Sequence, residues 1–95
     1  MMNLKQHLLL LLMEECGEVA QAASKCIRFT PEHATVDNPT NFENLVLEFN
    51  DLLAIVELLQ EEDLHLERIG HLVEYKKLRL KTYIQISEDM GTICT

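Results

Sequence analysis

The segment from Leu45 to Leu59 limits the possible folds more than any other stretch. Eleven of its 15 residues are apolar. On a helix, the positions Leu45, Val46, Leu47, Phe49, Leu52, Leu53, Ile55, Val56, Leu58 and Leu59 leave almost no polar side. A helix that is apolar nearly all round belongs inside an assembly, not on the rim of a three-helix unit. The upstream T-x-x-E pattern of Thr40 and Glu43 is a helix-start signal, so this helix begins near Asn41 and runs to about Gln60.

Two further helices flank it. An unbroken apolar-periodic stretch extends from Leu4 to Phe29 and stops at Thr30-Pro31, because the residue before a proline disfavours helical backbone. The residues from Thr30 to Asn41, with Pro31, Asp37, Asn38 and Pro39, read as loop. Asp63 is the expected cap of a third helix from Leu64 to Glu88, bent near Gly70 and stopped by Gly91. Its expected buried positions are Leu64, Leu66, Ile69, Leu72, Val73, Leu78, Leu80, Ile84 and Ile86, with Tyr75 and Tyr83 half-buried. Seventeen leucines and 12 glutamates favour helix, while three glycines and two prolines are too few for a sandwich of short strands. The expected fold is all-α, a single domain over residues 1–95: a helical hairpin plus a third helix, completed to a four-helix-type bundle by dimerisation. Helices 1 and 3 wall only part of helix 2, leaving a stripe drawn from Val46, Phe49, Leu53 and Val56 for a second copy. Folding of Leu8 to Met13 over that stripe is the alternative within one chain.

Charge narrows the partners. Sixteen acidic against eight basic residues give a net charge of −8, and with five aromatics this argues against a nucleic-acid groove. The run from Leu8 to Met13 is preceded by Lys5 alone and followed by Glu14, Glu15 and Glu18, unlike a signal peptide. Six apolar residues are also far from the roughly 20 needed to cross a bilayer. Cys16, Cys26 and Cys94 form no CxxC pair, and the first two lie about 15 Å apart along one helix. Reduced thiols in a cytoplasmic protein without a membrane partner are the expectation.

The acids carry the chemistry. Glu15 and Glu18 on helix 1, and Glu48 and Asp51 on helix 2, are spaced i, i+3, so each pair shares a helix face. Glu48 and Asp51 interrupt the most apolar segment of the chain, where an unpaired buried carboxylate costs several kcal/mol. Salt bridges to Lys or Arg would neutralise them. So would a divalent cation held by all four carboxylates, and hard oxygen ligands without histidine suit Mg²⁺ or Mn²⁺. Glu62 and His65 form an ExxH of the kind found in di-iron bundles, but only one copy is present in the chain. His7, His33 and His71 read as surface residues.

The run Met13-Glu14-Glu15-Cys16-Gly17-Glu18-Val19-Ala20-Gln21, followed by Leu47-Glu48-Phe49-Asn50-Asp51-Leu52-Leu53, resembles the paired ExxE and ExxD signature of MazG-like, all-α nucleoside triphosphate pyrophosphatases. Ser24-Lys25-Cys26-Ile27-Arg28-Phe29 is similar to the segment ending helix 1 in short bacterial and phage members. The stretch Lys76-Lys77-Leu78 through Tyr83, Ser87 and Gly91 also resembles those forms, so the likeness covers nearly the whole chain. The resemblance implies helical dimers or dimers of dimers that hydrolyse a nucleoside triphosphate to the monophosphate and pyrophosphate with Mg²⁺. It implies Glu15, Glu18, Glu48 and Asp51 as metal ligands.

Such a reaction needs a positioned water and stabilisation of charge on the phosphates, which divalent ions supply. Glu15 is the first candidate for activating the water, with Glu18 as the other. Lys25 and Arg28, one and a half to nearly three turns beyond Glu18, are candidate phosphate ligands, as are Lys77 and Lys81, spaced i, i+4 on helix 3. A tetramer is expected ahead of a dimer. Competing readings are a non-catalytic helical oligomer acting as a regulatory or antitoxin-like module, or a related pyrophosphohydrolase of dUTPase-like or phosphoribosyl-ATP type.

Overall fold

Each helix is defined by how its end groups are satisfied. In the computed structural model, which describes residues 1–33 and 39–94, α1 spans Leu4–Phe29, α2 Asn41–Glu61 and α3 Gly70–Asp89, with no strand among the described residues. At the start of α1 the Asn3 side chain accepts from the Gln6 amide, and Gln6 Oε1 accepts from the Asn3 amide, closing a capping box. Thr40 Oγ1 accepts from the Glu43 amide at 3.0 Å, the expected cap of α2. Of the loop residues named above, Asp37 and Asn38 lie outside the described residues.

α1 and α2 pack as a hairpin, and three hydrogen bonds join its closed end. Asn41 Nδ2 donates to the Thr30 carbonyl, the Phe42 amide to the Pro31 carbonyl, and the Asn41 amide to the His33 carbonyl, at 2.9, 3.0 and 3.2 Å. They hold Thr30 at φ 76°, a conformation that a β-branched residue rarely adopts. Leu8 and Ala22 of α1 and Leu59 of α2 form the buried core of this pair.

The end of α2 departs from the sequence expectation. Asp63 does not cap α3. It adopts φ 62° just beyond α2, with its amide donating to the Gln60 carbonyl and the Leu64 amide to the Leu59 carbonyl. This is a Schellman closure, which calls for a left-handed residue at that position. Residues 64–69 are then non-helical, so the third helix starts at Gly70, six residues later than expected. At its far end Gly91 (φ 74°) makes the same closure, as expected, with the Thr92 amide donating to the Ser87 carbonyl. Asp63→Gly relieves the left-handed strain and removes one of three acids at a helix C-terminus. It is expected to stabilise the hairpin by about 0.5–1 kcal/mol, read as a rise of a few degrees in thermal denaturation.

This linker carries α3 away. Among the described residues α3 packs against neither α1 nor α2. Of its expected buried positions, Leu64 and Val73 are half-buried, and Leu72, Leu80 and Ile84 are 45–54% exposed. The wall expected from helix 3 is therefore missing. The Phe42, Val46, Phe49 and Leu53 stripe of α2 is 42–55% exposed, and Leu8 to Met13 does not cover it. The radius of gyration, 17.1 Å, exceeds the about 12 Å expected of a compact chain of this length.

Candidate metal centre

The antiparallel hairpin sets which residues meet. At a rise of about 1.5 Å per residue, Lys25 lies close to the closed end, level with Asn44. Gln21 and Glu18 come next, level with Glu48, and Glu15 lies deeper, beside Asp51. Carboxylate oxygens of Glu15, Glu48 and Asp51 all fall within 4.8 Å of one another. Glu15 and Glu48 are half-buried and Asp51 is exposed. The deep burial expected of Glu48 and Asp51 is thus not seen in the single chain, because α2 is covered on the α1 side only.

Glu18 is exposed and sits outside this trio. It opens instead onto an adjoining cleft of about 160 Å³, lined by Glu18, Gln21, Ala22, Lys25, Asn41, Asn44 and Glu48. Glu48 belongs to both groups and links them. Lys25 is the predicted phosphate ligand that lines this cleft. Arg28 lies over the Phe29 ring, 5.3 Å from its centroid. Lys77 pairs with Glu74 at 3.3 Å on α3, and Lys81 is exposed on the same helix, which does not pack on the hairpin. Gln21, Asn41 and Asn44 were not singled out from sequence as cleft residues. Their signal is register: Gln21 is three residues beyond Glu18, and Asn44 four before Glu48.

The electrostatics are those of an uncompensated cluster. Partial desolvation raises the pKa of Glu15 above its ordinary value of 4.5, and the charges of Asp51, Glu48, Glu18 and Glu14 raise it further. Among the described residues the ion pairs are Asp63–His65, Arg68–Glu74 and Lys77–Glu74, and none of them involves the four acids. The Glu62–His65 alternative loses its helical spacing, since His65 lies in the non-helical linker, 3.8 Å from Asp63. His7, His33 and His71 are exposed, and all three cysteines are free.

The trio is a group of carboxylates that could hold a metal ion. Octahedral Mg²⁺ with bonds of about 2.1 Å sets its ligand oxygens roughly 3–4 Å apart, a spacing on the scale of the trio's own, within 4.8 Å. The raised pKa also fixes a sign. Without metal, folded Glu15 binds its proton more tightly than the unfolded chain does, so its contribution to stability is fully present at low pH and falls as pH rises through the folded value. Metal-free Glu15→Gln is therefore expected to melt higher than wild type at pH 7. That advantage should disappear below the ordinary value of 4.5, as measured by thermal denaturation across pH.

No helix of the described residues is long and apolar enough to cross a membrane. Comparisons with protein-family models, curated proteins and solved structures found no match to this chain.

Proposed function

We propose that the chain is a Mg²⁺-dependent nucleoside triphosphate pyrophosphohydrolase of the MazG-like type, acting as a homo-oligomer in the cytoplasm on the nucleotide pool. The observation that carries this reading is the meeting of Glu15, Glu48 and Asp51 from two antiparallel helices beside a polar cleft with one lysine. None of these carboxylates is in an ion pair among the described residues, which supports a cation as their neutraliser over salt bridges within the chain.

Glu15, Glu48 and Asp51 would hold the ion, with Glu18 contributing from the cleft side. Bound Mg²⁺, or Mn²⁺ in its place, supplies charge neutralisation for a polyphosphate that a chain of net charge −8 otherwise repels. The Glu15 carboxylate accepts the proton of the attacking water. Lys25 places a positive charge in the cleft, where it binds a phosphate oxygen of the substrate. The side-chain amides of Gln21, Asn41 and Asn44 offer donors and acceptors to the rest of the nucleotide. Attack at the α-phosphorus breaks the bond to the pyrophosphate leaving group and yields the monophosphate.

A panel of common and damaged ribo- and deoxyribonucleoside triphosphates, assayed with Mg²⁺ for pyrophosphate against orthophosphate, tests this directly. Pyrophosphate with a nucleoside monophosphate is the expected product pair. A diphosphate with orthophosphate rejects the mechanism, and no turnover across the panel rejects the enzyme.

A further inference from the structure

We infer that α3 is an exchanged arm: its apolar stripe docks on the bare face of α2 in a second copy of the chain, and the partner's α3 docks in return. Area is the first argument. The chain exposes 7700 Å², about 2,100 Å² more than a folded monomer of its mass. A standard interface takes roughly 800 Å² from each partner and an obligate one up to about 2,500 Å². The excess is thus the size of an obligate contact.

Pattern is the second. Ile69, Leu72, Val73 and Leu80 recur at helical spacing along one side of a groove of about 390 Å³ on α3. Phe42, Val46, Phe49 and Leu53 recur at i, i+4, i+7 and i+11 along the exposed stripe of α2. Each stripe is what a core-facing helix presents, and neither finds a partner helix in its own chain.

Charge is the third. Residues 1–63 carry 12 acidic and three basic side chains, whereas residues 64–95 carry four acidic and five basic. The chain is therefore split into a hairpin of net charge −9 and an arm of +1. All five of the arm's cations, Arg68, Lys76, Lys77, Arg79 and Lys81, fall within 14 residues around the apolar stripe. An apolar seam rimmed with cations matches an apolar seam on an acidic hairpin, and such complementarity fixes orientation and speeds encounter. Arg68 and Lys77 share Glu74 on the arm itself, which leaves Lys76, Arg79 and Lys81 as the cations outside an ion pair among the described residues, available to the hairpin's acids. The second copy's hairpin is the occupant that fits.

The test reads mass and proximity, so it stands apart from the pyrophosphatase assay: loss of that activity leaves the arm exchange standing. Light scattering of the full chain is expected to give about 22 kDa, or 44 kDa if exchanged pairs associate further. Leu72→Glu combined with Leu80→Glu should lower the mass to about 11 kDa while circular dichroism keeps the hairpin's helicity. A monomeric wild type, or an unchanged mass in the double variant, overturns the proposal. A second measurement does not depend on that variant's folding. A spin label at Gln85→Cys, with the native cysteines replaced, is mixed with an equal amount of unlabelled, isotope-enriched chain. Broadening of amides 42–53 in the enriched chain supports the exchange, and its absence there overturns it.

Discussion

Glu15→Gln is expected to leave the helical content unchanged and to lower turnover by roughly 10²–10⁴-fold. The amide keeps the size and shape of the carboxylate but can neither take a proton from water nor bring a charge to the cluster. Its position explains the selectivity of the effect. Glu15 is half-buried on α1, outside the Leu8, Ala22 and Leu59 core, so packing does not depend on it. With Mg²⁺ raised until the variant's site is filled, the loss should appear in kcat rather than in KM, because proton abstraction acts in the transition state. Glu61→Gln, at the far end of α2, is the matched control and should retain wild-type turnover. An equal loss in both variants would assign the effect to charge or stability and not to the site.

Metal should stabilise the fold strongly, and only through the cluster. A cation that binds the native hairpin and not the unfolded chain adds about 2.7 kcal/mol at a concentration one hundred times its Kd. For a domain of this size that is roughly 10–20 °C in melting temperature. Glu48→Gln or Asp51→Asn removes one of three converging ligands and should cut most of that rise. Without metal the order should invert, with both variants at or above wild type, because each removes like-charge repulsion from Glu15. A calorimetric series with Mg²⁺ and Mn²⁺ checks both halves, and equal metal shifts in all three proteins would reject the site.

The hairpin was legible in the sequence because its determinants are local. Thr30-Pro31 ends α1 at the residue expected, and Thr40 caps α2 where the capping pattern lies. The i, i+3 spacing on two neighbouring helices pointed to the acids that meet, and Glu15, Glu48 and Asp51 do lie together. Glu18 is the exception: side-chain direction, not spacing, turned it toward the cleft. The start of α3 was not legible for a different reason. Asp is a good N-cap and also one of the few residues other than glycine that tolerate left-handed backbone, so Asp63 fits either the start of one helix or the closure of another. The hydrogen bonds to Leu59 and Gln60 decide it, and they are invisible to a pattern of residue types. The uncovered stripe on α2 was foreseen at Val46, Phe49 and Leu53 but not at Phe42, Val56 is half-buried, and helix 3 was wrongly expected to supply one of the walls.

The detachment of α3 also fixes how unevenly the chain resists opening. α1 and α2 protect each other's amides, so their slowest exchange with solvent deuterons reports opening of the hairpin as a unit. α3 has 20 residues and no neighbouring helix among the described residues of its own chain, and most helical stability in proteins comes from packing of an amphipathic face. In dilute solution its amides therefore exchange by simple helix–coil fluctuation. Raising the protein concentration should slow α3 selectively and leave the α1 and α2 amides unchanged until the hairpin itself opens.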